Sequence, residues 1–179
     1  MNYVLNFGAH KGQNILDVPL SYINWCIKNI ERYPFNDKEL MKEVIIKKIS
    51  TFIEENGILI GSRAWGGSRD NSDYDYCVTK YTSFRIQKML ENSNIKFRKI
   101  TGYGTSSKLK NEYSYYIDFP DKTYNIIVYE SLDRIILVNK AFEKLKQKDK
   151  DYNKNILNKE YRVKYCERFI RTWGDTVRY

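Results

Sequence analysis

Histidine is almost absent: His10 is the only one among 179 residues, which excludes chemistry that depends on a histidine pair. Cysteine is scarce as well. Cys26, Cys77 and Cys166 stand far apart with no CxxC spacing, a poor zinc site even with His10 added and a poor disulfide framework. All three read as reduced core residues, since free cysteine is commonly buried. No apolar run approaches the roughly 20 residues that span a bilayer, and the opening MNYVLNFGAHKG lacks the apolar stretch of a secretion signal. A soluble, cytoplasmic protein with no membrane partner is expected. Internal repeats, low-complexity linkers and a Walker-type Gly-Lys-Ser/Thr pattern are all missing.

What is present is enough for a core. Hydrophobic residues make up 42% of the chain, and the length suits one domain or a domain with a small appendage. The net charge is +9, and residues 140–179 hold 12 Lys/Arg against 6 Asp/Glu, so +6 of that surplus sits in the last forty positions. Such a bias suits a polyanionic partner such as RNA, DNA or nucleotide phosphate; the plainer reading is that Lys-rich helices are soluble.

Pro34 interrupts two helical patterns and marks a boundary, giving a small N-terminal module over 1–34 and a main domain over 35–179. In the first part, Tyr3–Phe7 reads as a short strand and Ser21–Ile30 as a helix with Tyr22, Trp25 and Cys26 on one face. In the second, Asn36 and Glu39 have capping-box spacing and open a helix to about Glu55, with Met41, Ile45, Ile49 and Phe52 facing the core. Gly57 ends it. Strands follow at Ile58–Ile60, Tyr74–Thr79, Ile95–Ile100, Tyr113–Phe119 and Thr123–Tyr129, with a short helix over Ser83–Asn92. Two helices finish the chain, one striped by Ile135, Val138, Phe142 and Leu145, the other by Val163, Cys166, Ile170 and Trp173. The class is α/β (α+β): a small mixed sheet flanked by helices.

The chemistry lies in one stretch, Gly61-Ser62-Arg63-Ala64-Trp65-Gly66-Gly67-Ser68-Arg69-Asp70-Asn71-Ser72-Asp73-Tyr74-Asp75. An apolar strand runs into Gly-Ser, a glycine-bearing turn follows, and Asp-x-Asp opens the next strand. Gly61 lets backbone amides approach a triphosphate, and Ser62 can donate to a phosphate oxygen. Residues two apart on a strand share a face, so Asp73 and Asp75 offer paired hard oxygen ligands for Mg²⁺, which in turn binds phosphates. An isolated DxD is usually a turn with solvated acids; one at this distance from a strand-ending Gly-Ser is far more specific.

Residues 58–79, ILIGSRAWGGSRDNSDYDYCVT, resemble the minimal nucleotidyltransferases of the DNA polymerase beta superfamily, and the likeness covers about 38–145. It implies a metal-dependent enzyme using Mg²⁺ or Mn²⁺, with Asp73 and Asp75 holding metal and Gly61 and Ser62 binding an NTP. The nucleoside monophosphate would go to a hydroxyl of RNA, DNA, a protein or a small molecule. It also implies a third carboxylate on a later strand, and the matching slot is Asn125, which can ligate through oxygen but cannot act as a base. If Asp121-Lys122 is a two-residue hairpin turn, Asp118 lies directly opposite Asn125 and supplies the missing acid; otherwise it is an acid at a strand end. Arg63, Arg69 and, in a polar loop, Lys108 or Lys110 are candidate phosphate contacts. The rival is a catalytically weak relative that binds nucleic acid or a partner protein.

The piece FGAHKGQNILDVPLSYINWCIKN is similar to a small module appended to exonucleases of the exodeoxyribonuclease X type and found in small phage and bacterial proteins. That likeness implies nucleic-acid contact. Gly8 and Gly12 bracket a turn that presents His10 and Lys11, while Tyr22 and Trp25 read as packing of a miniature core.

Overall fold

A computed structural model describes residues 3–100 and 112–174. The loop bearing Lys108 and Lys110, and the side chains of Ile170 and Trp173, lie outside what it describes. The chain divides into two compact units, Met1–Glu55 with Phe84–Lys96, and Asn56–Ser83 with Phe97–Tyr179.

In the first unit the expected N-terminal strand reduces to one antiparallel bridge, Val4 to Asn14, flanked by Leu5 N–H to Gln13 O at 2.9 Å and Ile15 N–H to Tyr3 O at 2.8 Å. Helix α1 (Leu20–Asn29) starts after Pro19 and buries Ile23 and Cys26. Trp25, read as a core residue, is instead 54% exposed and stacks on Tyr22 with ring centroids 6.1 Å apart. It lies off the stripe because Ile23 and Cys26, three apart, already fill the face that packs inward. Helix α2 (Lys38–Asn56) is capped by Asp37 Oδ1, which accepts from Leu40 N–H at 3.0 Å; the cap is one residue later than the Asn36 expected. Phe35, Met41 and Val44 share a core with Leu5, Ile15, Val18, Ile23 and Cys26, so apolar packing runs straight across Pro34.

The second unit is built on a five-stranded mixed sheet. Its strands are β1 (Ile58–Ile60), β2 (Tyr74–Thr79), β3 (Arg98–Ile100), β4 (Tyr113–Asp118) and β5 (Thr123–Tyr129), in the order β1-β2-β5-β4-β3. Only β2 and β5 pair in parallel, and a parallel pair needs a long crossover. Helix α4 (Lys80–Asn92) opens that crossover. Helices α3 (Gly61–Trp65), α5 (Asp133–Lys148), α6 (Tyr152–Asn155) and α7 (Lys159–Gly174) complete the unit.

Side chains alternate across the sheet. Tyr76, Val78, Tyr124, Ile126, Val128, Tyr115 and Ile117 are buried on one face. Asp75, Cys77 and Thr79 pair level with Asn125, Ile127 and Tyr129 on the other. This second face is apolar toward the strand ends at Thr79 and Tyr129 and polar where Asp75 meets Asn125.

The β4–β5 register departs from expectation. Asp118 pairs with Thr123, and Tyr116, not Asp118, stands opposite Asn125. The turn is Pro120-Asp121, closed by Phe119 N–H to Lys122 O at 3.0 Å. Proline carries no N–H for a ladder and its fixed φ suits the second position of a β-turn. Pro120 therefore goes into the turn, and every pairing shifts from the one that Asp121-Lys122 would set.

Candidate active site

Ile60 pairs with Asp75, so the chain leaving β1 must turn immediately over the Asp75 carboxylate. Gly61 makes that turn at φ +72°, and a Cβ there would lie 2.6 Å from Asp75 Oδ2. Both the backbone angle and the missing side chain are thus required at this one position. Ser62 follows in the first turn of α3, half-buried. The short helix stops at Gly66, whose left-handed conformation (φ 87°) brings its N–H, and then that of Gly67, onto Ser62 O.

The loop from Gly66 to Asp73 is held by Arg63. Its Nε donates to Ser72 O at 2.9 Å, its Nη2 to Asp70 O at 3.2 Å, and its guanidinium lies 3.8 Å from the Tyr74 ring centroid. Arg63, expected to meet phosphate, is engaged in closing the loop. Ser72 adds to the closure by accepting from Arg69 N–H through its hydroxyl at 2.9 Å. The Arg69 side chain is exposed.

Asp73 and Asp75 are both half-buried. Burial, and then the charge of Asp73, push the Asp75 carboxyl up to about 6. Asn125 resists that shift: its Nδ2 donates to Asp75 Oδ1 at 2.7 Å. Asn125 is 3% exposed, and its Oδ1 has no partner among the described residues. Deeper on this face, burial raises the Cys77 thiol and the Tyr129 hydroxyl well above their usual ranges, so neither is a reactive group at neutral pH.

Asp118 does not join the acidic pair. It accepts from Arg98 Nε at 3.0 Å and from Thr123 Oγ1 at 3.1 Å on an exposed strand end, and the Arg98 guanidinium holds its carboxyl below the usual range. The shifted register takes it away from Asn125, so the compensation expected of it is not built. The structure brings together Gly61, Ser62, Asp73, Asp75 and Asn125, and leaves Asp118 apart.

Two cations that motif reasoning passed over come from α7. Lys159 and Arg162 are near enough to Asp75 to draw its pKa down. Arg162 Nη1 donates to Ile156 O at 2.5 Å, and a Cβ on Gly67 would lie 2.8 Å from the same nitrogen. The only trace of them in the sequence is the basic surplus of 140–179.

Behind the site, α5 and α6 brace α3. Trp65 Nε1 donates to Asn139 Oδ1 and Asn139 Nδ2 to Leu59 O, each at 2.9 Å. The Tyr152 hydroxyl donates to Trp65 O, and the Trp65 ring lies parallel to Phe142 at 4.0 Å.

The donor chemistry suits a hard divalent cation. Two carboxylates that repel each other are oxygen ligands of the kind Mg²⁺ and Mn²⁺ take, while the Asn125 amide turns its nitrogen toward Asp75. Among the described residues, no group of three or more His, Cys, Asp or Glu is placed to hold a metal.

No family model and no curated protein sequence matches the chain. The Cid1 poly(U) polymerase crystal structure is similar over 77% of this chain and 44% of its own, at 13% identity and a TM-score of 0.42. The chain thus spans less than half of that protein, and so distant a likeness says nothing of its chemistry. No helix among the described residues is long and apolar enough to cross a membrane.

Proposed function

We propose that the protein is a divalent-metal-dependent nucleotidyltransferase, moving a nucleoside monophosphate from an NTP to a hydroxyl acceptor. One observation carries this reading: the Gly61-Ser62 turn closes on Asp75 so tightly that no side chain fits, with Asp73 beside it. Such a juxtaposition would set backbone N–H groups able to donate to phosphate against two acids able to hold a metal, which is what transfer from a triphosphate needs. Asp73 and Asp75 would hold Mg²⁺ or Mn²⁺, which when bound neutralises charge on the carboxylates and the phosphates. Amides at Gly61 and Ser62, with the Ser62 hydroxyl, donate to triphosphate oxygens; Lys159 and Arg162 add positive charge nearby. In the reaction, the acceptor oxygen bonds to the α-phosphorus, the bond to the bridging oxygen breaks, and pyrophosphate departs. The acceptor's proton goes to water or to the acidic pair, since Asn125 cannot take it.

The basic surplus favours RNA over a protein or small-molecule acceptor. Incubating the protein with each α-labelled NTP, Mg²⁺ and total RNA or cell extract tests the reading. Label should move to a macromolecule, and Asp73→Asn or Asp75→Asn should lower transfer by roughly 100-fold or more. No transfer from any NTP would reject it.

One observation favours a second reading, a weak or inactive relative that binds nucleic acid or protein. Asn125 donates to Asp75 where the resemblance expects a carboxylate. Transfer that appears only in Asn125→Asp would select that reading.

A further inference from the structure

The ligands around Asp75 are too few for a two-metal centre. Two divalent ions held about 3.5–4 Å apart, as in many phosphoryl-transfer enzymes, need protein oxygen ligands for the ion facing the acceptor as well as for the one that carries the triphosphate. Facing them here are two carboxylates, Asp73 and Asp75, and no third among the described residues. Lys159 and Arg162 already place positive charge near Asp75. Asp75 is also poorly disposed to bridge two ions. One oxygen, Oδ1, accepts from Asn125 Nδ2 at 2.7 Å, and the other lies against Gly61. Asn125 brings no charge, and its amide is oriented with nitrogen toward the carboxylate. Reversing the amide would set oxygen against oxygen.

We infer that the site holds a single divalent cation per chain, entering with the nucleotide as its metal chelate, and that Asn125 is the residue that removes the place for a second. Asp73 and Asp75 can complete the ligand set of one cation that already carries triphosphate oxygens. An ion against the acceptor hydroxyl has no protein carboxylate to hold it, so binding of the metal–nucleotide chelate is separated from activation of the acceptor. The inference rests on the proposed nucleotide site but not on transfer occurring.

The test is a count of Mn²⁺ and of nucleotide bound to the full chain by equilibrium dialysis with a non-hydrolysable NTP analogue, the Mn²⁺ chelated by free analogue being taken from the protein-free chamber. The expected result is one ion per chain, lost or weakened at least tenfold in Asp73→Asn, and two ions in Asn125→Asp. Two ions in the unaltered protein would overturn the inference and leave the transferase reading standing. No ion, or one indifferent to Asp73→Asn, would overturn it as well; label transfer in the same preparation then decides the transferase reading separately. A folded Asn125→Asp that still binds one ion would overturn the role given to Asn125. Should that variant fail to fold by circular dichroism, the count on the unaltered protein decides alone.

Discussion

Asp75 gathers most of the site's tension in one side chain. It is half-buried beside a like charge, and one neutral hydrogen bond from Asn125 offsets part of the cost. A carboxyl at about 6 in the folded chain and near 4 unfolded binds more protons when folded. Its contribution to stability is therefore full below pH ~4 and falls as the pH rises to about 6, by about 3 kcal/mol. In chelator, Asp75→Asn should flatten that part of the stability–pH curve and raise the Tm at pH 7 by several degrees. Equal slopes for the two proteins between pH 4 and 6 would refute the assignment. Asp118 is the opposite case, an exposed acid satisfied by Arg98 and Thr123. Asp118→Asn should change transfer by less than about threefold and stability by under 1 kcal/mol; a loss as deep as that of Asp75→Asn would restore it to the site. The sequence displays Gly61, Ser62, Asp73 and Asp75 because strand alternation and one glycine turn link them locally. It misplaces Asp118 because cross-strand neighbours depend on which two residues make the turn, and it hides Lys159 and Arg162, whose nearness to Asp75 is purely tertiary.

Elements were legible where periodicity is strong and blurred where a short segment depends on its neighbours. β2, β4, β5, α1, α2 and α5 lie close to where apolar spacing puts them, because each buries a stripe or an alternating face. β1 falls where expected but is half-buried, and β3 keeps only Arg98–Ile100 of the expected Ile95–Ile100, with Arg98 and Lys99 exposed. Tyr3–Phe7 forms only one bridge because its partner segment makes a tight turn rather than a second strand. The five-residue α3 is too short to stand on propensity and draws its support from α5 and α6. Asn139 is the centre of that support, bonded both to the Trp65 indole and to Leu59 O. Asn139→Ala leaves a half-buried indole N–H and a strand carbonyl unpaired, which costs about 1–3 kcal/mol. It also frees the Gly61-Ser62 turn. Thermal melting should show the loss, and KM for NTP should rise more than kcat falls. A variant with unchanged Tm and unchanged KM would show that α3 holds its place without Asn139.

At the scale of the whole molecule, the charge is unevenly shared between the two units. Residues 56–83 and 97–179 contain 21 Lys/Arg against 14 Asp/Glu, a surplus of +7, whereas the remainder contains 10 against 8, a surplus of +2. The unit that carries the candidate site is thus the basic one, a distribution that would favour a polyanionic acceptor. A competing account is available for part of the surplus, since Lys146 and Lys148 lie in the last turn of α5, where positive charge complements the helix dipole. The two accounts differ in their salt dependence. Phosphate contacts release counterions, so with roughly four contacts to single-stranded RNA the affinity should fall about 50-fold between 50 and 200 mM salt. Lys144, Lys146 and Lys148 are all exposed. Replacing all three by alanine should reduce the slope of log K against log salt by up to about 2, while surface substitutions of this kind move stability little. Filter binding or fluorescence anisotropy over a salt series measures both quantities. Absence of RNA binding at low salt, or a slope unchanged in the triple variant, would assign these lysines to solubility and helix capping, and would turn the search for an acceptor from RNA toward proteins and small molecules.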